Sequence, residues 1–127
     1  MTALLSRHMV DSPFDVEIEV GEVIDAEPFP EAEKPEMTKL WIDLSGDAGD
    51  ESEAEGGGEP IQSAAQLDYH YDADALVGRQ VLCATNLGSV RIAGFKSEAL
   101  TVGVPCEEGY PILVSPDEEV PLGGPLY

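Results

Sequence analysis

The sequence predicts an all-β protein, built as a small β-barrel or sandwich. Short apolar segments are interrupted by glycine or proline at intervals of about eight to twelve residues, a pattern typical of such folds. The length of 127 residues suits one domain with a core of its own. A hydrophobic fraction of 43% is ordinary for a soluble globular protein and argues against global disorder.

The first third of the chain predicts two strands separated by a loop. In residues 16–24, apolar side chains alternate with acidic ones, which predicts a strand with one buried and one solvated face. Glu17 and Glu19 are therefore interpreted as solvated side chains and not as catalytic or metal-binding groups. Prolines bracket a loop at residues 29–35, and a second alternating segment predicts a strand over residues 39–44.

An acidic, glycine-rich segment then interrupts the hydrophobic pattern. Residues 46–60 contain six acids, five glycines and no large apolar side chain. Calcium binding is one interpretation of so many oxygen ligands, but the EF-hand spacing is absent and three glycines are consecutive. A disordered insertion is predicted, because lengthening a surface loop costs only about 0.6 kcal/mol per doubling.

The second half of the chain is again rich in predicted strands. Tyr69 to Leu76 predicts a short helical turn that Gly78 ends. The predicted strands cover residues 61–67, 80–85, 97–104 and 112–114; a turn is predicted at 116–118, and an apolar tail suited to packing in extended form at 120–127.

The charge is strongly negative. The chain has 26 acidic and 6 basic residues, for a net charge of −20. Self-repulsion on this scale is tolerable where salt screens it, so the composition predicts a salt-rich cytoplasm, as in halophilic archaea. The alternative is a mesophilic acidic protein with a cation or a basic partner.

One segment is spared from this acidity. Residues 76–106 carry a charge of +2, which leaves −22 for the remainder. This window contains residues 86–103, with the one asparagine of the chain, Asn86. A protein that makes nearly all of its surface anionic but spares one segment is expected to bind something there.

Cysteine and histidine give little sign of chemistry. Cys83 lies in an apolar run and is predicted to be a core residue, whereas Cys106 lies in a turn. A disulfide is possible but not indicated, and the four Cys and His residues have no zinc-site spacing. Neither cysteine is predicted to be reactive, and no metal or cofactor is expected.

An enzyme is disfavoured for similar reasons. His8 and His70 have no nucleophile pattern nearby, and His70 is interpreted as a surface or interface residue. No paired carboxylates stand out, so no catalytic residue is predicted. No apolar run approaches the roughly 18 residues of a transmembrane helix, and the N-terminus lacks the features of a secretory signal, so the expected location is the cytoplasm.

A family resemblance rests on the segment that departs from the acidic background. Asn86, Arg91, Gly94, Ser97 and Leu100 occur in an order that resembles the signature of the tRNA-binding-domain family. That family includes the C-terminal domain of methionyl-tRNA synthetase and free-standing dimeric tRNA-binding proteins. Within it, the chain looks most like the CsaA subgroup of secretion-related chaperones. Other segments along the chain also resemble the family and occur in the family's order: residues 14–21, 40–44, 62–66, 93–98 and 116–123.

The resemblance implies a fold and a function. The fold would be an OB-fold, a five-stranded Greek-key β-barrel with short helical segments and extended termini. The domain would cover residues 14–127, after an N-terminal extension at 1–13, with the flexible acidic insertion at 46–60. The implied function is that of a CsaA-like homodimer that binds unfolded or export-destined polypeptides. The alternative is a trans-acting binder of tRNA or other structured RNA that uses the same groove.

The resemblance also suggests which residues would line this groove. Cations suit phosphate groups, amides and hydroxyls suit base edges or ribose, and apolar side chains such as Leu87, Ile92 and Trp41 would form walls. Each candidate also has a purely structural interpretation: a turn cap, the exposed side of a strand, a bulge or a core residue. The predicted RNA- or peptide-binding residues are Gln62, Ser63, Asn86, Arg91, Phe95, Lys96 and Ser97.

Three positions depart from the family pattern. Val90 stands where many relatives carry a basic residue, and Ile61 stands where chaperone relatives often carry a lysine before the Gln-Ser pair. Leu100 replaces the methionine that often closes the signature. Each lost cation removes roughly one released counterion, which weakens binding to RNA at ordinary salt.

Overall fold

The computed structural model describes residues 16–45 and 59–125. Within these ranges one short helix, α1 (Ala73–Leu76), lies between the third and fourth strands. The strands in chain order are β1 (Ile18–Pro28), β2 (Thr38–Asp43), β3 (Ile61–Ala65), β4 (Gln80–Ala84), β5 (Val90–Ile92), β6 (Phe95–Ser97), β7 (Leu100–Thr101), β8 (Gly103–Pro105) and β9 (Pro111–Leu113).

Five of the strands form the body of the molecule. They make an antiparallel sheet in the order β3-β2-β1-β4-β7, while β5 with β6 and β8 with β9 form two hairpins. The sheet curls until β7 lies beside β3, and the result is a nearly closed barrel. This strand order is that of the OB-fold, so the predicted all-β class and OB-fold are confirmed.

The first strand bends in the middle, which allows it to serve both halves of the barrel. Its first half pairs with β4 and its second half with β2. A bulge between Val23 and Asp25 shifts the register, so Ile24 is exposed while Val23 and Ala26 are buried. The bulge explains why β1 continues beyond the predicted end at Ile24 with its alternation reversed.

The hydrophobic core occupies the interior of the barrel. In β2, Leu40 and Ile42 point inward and are fully buried, whereas Trp41 lies on the outer face and is half-buried. The predicted core position of Cys83 is confirmed. The other fully buried apolar side chains within residues 16–45 and 59–125 are Val23, Leu67, Leu76 and Val81.

The seam between β3 and β7 is closed largely by hydroxyl groups. Ser63 donates from its buried hydroxyl to the Ala99 carbonyl at 2.8 Å and lies 2.8 Å from the Thr101 hydroxyl. The Ser97 hydroxyl accepts from the Ala64 amide at 3.1 Å. Side-chain hydrogen bonds therefore join β3 to the segment from the end of β6 to β7, and β3 and β7 share no continuous backbone ladder.

Two predicted elements differ from the structure. The single strand predicted over residues 97–104 is wrong, because the chain turns twice there and contributes to β6, β7 and β8. The apolar run is continuous, but each piece pairs with a different strand. The helical turn predicted over 69–76 is shorter, since α1 begins at Ala73 and ends at Leu76. Val77 is already extended, so the helix stops before the predicted Gly78, which forms the following turn with φ of +94°.

The described part of the C-terminal tail packs on its own barrel. The Gly123 amide donates to the Val20 carbonyl at 2.7 Å, and the Val20 amide donates to the Gly124 carbonyl at 3.1 Å. The side chain of Gln80 bonds both the amide and the carbonyl of Val120. The predicted N-terminal extension, His8 and nearly all of the predicted acidic insertion lie outside the described residues.

Candidate functional site

An open cavity lies on the outer face of the barrel, between the loop after β1 and the β5–β6 hairpin. Its volume of about 860 Å³ falls in the range of ligand pockets. We call this cavity the groove. Its lining comes from the β1–β2 loop (Glu31, Ala32, Glu33, Lys34, Met37), from β3 and its end (Ala64, Ala65, Gln66), from the hairpin (Arg91, Ile92, Ala93) and from the segment around β7 to β9 (Leu100, Thr101, Val102, Gly103, Pro111).

The hairpin beside the groove has a tight two-residue turn. Ile92 and Phe95 are paired, and Ala93 and Gly94 between them have φ of +48° and +85°. Positive φ at both central positions defines a type I′ turn, whose twist matches that of the flanking strands. Because Arg91 and Lys96 are directly opposite in the hairpin, their side chains share one of its faces.

An aromatic cluster attaches the hairpin to the barrel. Phe95 meets Phe29 and Trp41 edge to face, with 5.6 Å between the ring centroids in each pair. The Lys39 ammonium lies 4.8 Å from the centre of the Phe29 ring and 5.3 Å from that of Phe95. We call Phe29, Trp41 and Phe95 the aromatic cluster; it fixes the hairpin over β2 and contributes cation–π attraction.

The basic residues gather around this hairpin. Lys34 and Arg91 line the groove, Lys96 shares the hairpin face of Arg91, and Lys39 lies against Phe95. Of the basic residues in the described ranges, the one outside this group is Arg79, which stacks over Tyr71. Glu31 and Glu33 offset the two cations in the groove lining, so this surface is close to neutral in a chain of net charge −20.

Three predicted site residues join the hairpin region to β3. The Gln62 side-chain amide donates to the Lys96 carbonyl at 2.9 Å, and the Gln62 backbone amide donates to the Glu98 carboxylate at 2.8 Å. Ser63 and Ser97 are buried and bonded in the seam, as described above. These side chains position the hairpin, and their predicted role as ligand contacts stays a prediction.

The other predicted residues divide between the groove and its surroundings. Arg91 lines the groove, as does the predicted wall residue Ile92, while Lys96 is exposed beside them. Phe95 and Trp41 belong to the aromatic cluster. Asn86 is exposed but its side-chain oxygen accepts from the Glu17 backbone amide at 2.9 Å, so it secures the chain just before β1.

Lys34, Lys39 and Phe29 were not predicted as site residues. All three lie in or beside the β1–β2 loop, which the sequence marked only as a loop between prolines. In an OB-fold, this loop flanks the ligand groove, so the fold assignment itself was the signal that could have identified them.

The described ranges contain no cluster of His, Cys, Asp and Glu arranged to hold a metal ion. Among the helices of the same ranges, none has the length and apolar character required to cross a membrane.

Comparisons with known proteins agree with this geometry. The family model described as "Putative tRNA binding domain" matches residues 18–125. The methionine–tRNA ligase of Bacillus subtilis (strain 168) is 32% identical over 114 residues, which cover 90% of this chain but 15% of the ligase. The chain thus corresponds to a small part of such relatives.

Solved structures give the same result. The crystal structure of the chaperone CsaA from Bacillus anthracis matches with a TM-score of 0.72 and 31% identity, over 90% of this chain and 92% of the other. The CsaA chaperone protein of Picrophilus torridus matches with a TM-score of 0.71 and 29% identity, over 90% of this chain and 94% of the other. Since the family model covers most of its length, the chain belongs to the tRNA-binding-domain family.

Proposed function

We propose that this protein binds structured RNA of the tRNA type in the groove, without catalysing a reaction. The observation that carries the proposal is the placement of its cations. Lys34, Lys39, Arg91 and Lys96 come from distant parts of the sequence and meet around one hairpin, while the chain as a whole is at −20. These cations can contact phosphates on a surface that is close to neutral, whereas the net charge of the whole chain repels an anion.

The groove adds a place for an unpaired base or a ribose. Its volume of about 860 Å³ accommodates a nucleotide-sized group, and Met37, Ile92 and Leu100 give it apolar walls. RNA-binding proteins take splayed-out bases against apolar or aromatic surfaces and read their edges with polar groups. Phosphate contacts from Arg91 and Lys96 would set the position of the strand on the hairpin face they share.

The first prediction concerns these two cations. We expect Arg91→Ala and Lys96→Ala each to lower the slope of log K against log salt by about 0.7 to 0.9, because each removes one phosphate contact. At low salt the double variant should lose roughly tenfold in affinity for unfractionated tRNA. Filter binding over a range of potassium concentrations measures both quantities, and the range also covers the salt-rich cytoplasm that the acidic composition predicts.

Arg79→Ala is the matched control, since it also removes one cation, but this cation lies over the Tyr71 ring and outside the basic group around the hairpin. Its salt slope should equal that of the wild type. If Arg79→Ala weakens binding as much as Arg91→Ala, net charge and not the groove governs the affinity, and the proposed site is wrong.

A second candidate function is CsaA-like binding of unfolded or export-destined polypeptides by a homodimer. It is favoured by exposed apolar side chains: Leu100 in the groove lining is 56% exposed, and Val90 on β5 and Leu87 before it are 61% and 41% exposed. Val104 and Ile112 are paired and exposed on the β8–β9 hairpin, and they offer an apolar surface to a second subunit.

Binding of polypeptides in the groove can be tested at its exposed apolar wall. Leu100→Glu places a charge on an exposed apolar wall, so it should reduce the suppression of aggregation of a heat-denatured client by at least about half while leaving the fold intact. Light scattering of the client at high potassium measures this, with Val77→Glu, which changes an exposed apolar residue outside the groove lining, as control. Equal loss in both variants, or no suppression by the wild type, contradicts the chaperone function, and a monomeric mass in sedimentation contradicts the homodimer.

A further inference from the structure

A second side-chain cluster lies at the turn between β8 and β9, in a part of the molecule that the proposed function does not use. The thiol of Cys106 is half-buried there, and the Nε2 atom of His70 lies 3.2 Å from its sulfur. The Glu108 carboxylate lies 3.4 Å from the same sulfur. These residues are 36 positions apart in one case and two in the other, so the contact with His70 is a product of the fold.

The imidazole of His70 contacts two aromatic rings. His70 meets Tyr69 edge to face with 4.8 Å between ring centroids, and it meets Tyr71 at 6.3 Å. Tyr69 in turn stacks on Tyr110 from the β8–β9 turn, with 4.3 Å between centroids and 13° between the planes. The backbone of the turn is fixed as well, because the Cys106 amide donates to the Tyr110 carbonyl at 2.9 Å.

We propose that Cys106 is a thiol–disulfide exchange site that accepts a small thiol from a low-molecular-weight disulfide, with His70 as the base. The reaction needs a base because the thiolate, and not the thiol, is the nucleophile. His70 Nε2 takes the proton from the Cys106 sulfur, and the sulfur then attacks one sulfur of the disulfide. The S–S bond of the reagent breaks, a new S–S bond to Cys106 forms, and the leaving thiolate recovers the proton from the imidazolium.

The charged groups around Cys106 have opposite effects on this reaction. His70 Nε2 is placed to take the proton of the sulfur, whereas the Glu108 carboxylate accepts an S–H hydrogen bond and competes for that proton. Glu107 is exposed next to Cys106 in the sequence. Tyr110 stacks on Tyr69, and Glu36 contributes negative charge near Tyr69. Repulsion from Glu108, above all, raises the pKa of the neighbouring Tyr69.

Cys83 supplies an internal reference for reactivity. It is fully buried, and burial raises the pKa of its thiol to about 12, so it should not react while the barrel is folded. The sequence contains two cysteines, and one of them therefore reports the integrity of the fold while the other reports the proposed site.

The test is the rate of exchange with dithiodipyridine, an uncharged aromatic disulfide that the net negative charge of the chain does not repel. Released thiopyridone is followed by absorbance from pH 5 to pH 9, and mass spectrometry of the protein identifies the modified cysteine. We expect one fast equivalent at Cys106, absent in Cys106→Ser. His70→Gln should slow this phase by about tenfold near pH 7, because the base that takes the proton from the sulfur is removed. Glu108→Gln should accelerate it.

Each outcome decides the matter. A fast phase that survives Cys106→Ser, or an unchanged rate and pH profile in His70→Gln, overturns the proposal. If Glu108→Gln slows the reaction instead, the carboxylate and not His70 is the base. If a variant unfolds, Cys83 reacts as well and reveals the unfolding. In that case the exchange rate of Glu108→Gln, measured while Cys83 remains unreactive, decides whether the proposal holds, because only the proposed arrangement predicts acceleration.

Discussion

Replacement of Gly21 by alanine is expected to lower the free energy of unfolding by about 2 kcal/mol or more. Gly21 is a buried position of β1, and a Cβ atom built on it would collide with Ile42 Cγ2 and would lie 2.9 Å from Leu44 Cδ2. Ile42 is fully buried in the core, so it has no free space to move into. The barrel must therefore open slightly between β1 and β2, or the core must repack at a cost.

Urea denaturation followed by tryptophan fluorescence measures this loss, because the single Trp41 lies on β2 close to the expected strain. Gly124→Ala is the matched control, since the nearest atom to its added Cβ would be the Pro121 carbonyl oxygen at an acceptable 3.4 Å. The control should unfold at the wild-type midpoint. An equal fall of both midpoints would mean that the collision with Ile42 is not the cause of the destabilisation.

The second large effect is expected at the seam of the barrel. Ser63→Ala removes the hydroxyl that bonds the Ala99 carbonyl and the Thr101 hydroxyl, and it leaves both partners buried without this bond. A buried polar group that loses its partner costs about 1–3 kcal/mol. We therefore expect a destabilisation of about 2 kcal/mol, with the affinity of the folded protein for RNA little changed.

The same denaturation assay measures the stability, and filter binding below the unfolding temperature measures the affinity. Ser115→Ala, at an exposed position, is the control and should leave both quantities as in the wild type. If Ser63→Ala instead loses affinity at wild-type stability, the sequence-based prediction of Ser63 as a ligand contact is correct and the hydroxyl matters less to the seam than its geometry indicates.

The strands were predictable where one strand corresponds to one run of alternating residues. β2 and β4 follow the apolar pattern closely, because each has one face on the core along its whole length. The single strand predicted over residues 97–104 was wrong, because alternation cannot show that the chain bends at Glu98 and again at Val102 to pair with three different strands. The bulge at Ile24 escaped prediction for the same reason: tertiary pairing determines where a strand bends.

The candidate site was predictable only in part. The segment with Arg91, Lys96 and Phe95 was identified by its charge and by the family signature, and these residues lie at one hairpin. Sequence cannot show burial, so Ser63 and Ser97 look like any polar residues in a binding motif until their bonds in the seam are seen. Contacts across the fold, such as those of Lys39 with the hairpin and of His70 with Cys106, have no local signal at all.

The attachment of the hairpin has a consequence for ionic strength. At about 1 M salt the Debye length shrinks to about 3 Å, and attraction between exposed charges across solvent is largely lost. The contacts of Phe95 with Phe29 and Trp41, and the amide bond from Gln62 to the Lys96 carbonyl, involve no pair of opposite charges. The Lys39 ammonium lies against the Phe29 and Phe95 rings, so its attraction is to the ring faces and not to a second ion. The contacts that attach the β5–β6 hairpin to the barrel are therefore expected to persist almost unchanged at high salt concentration.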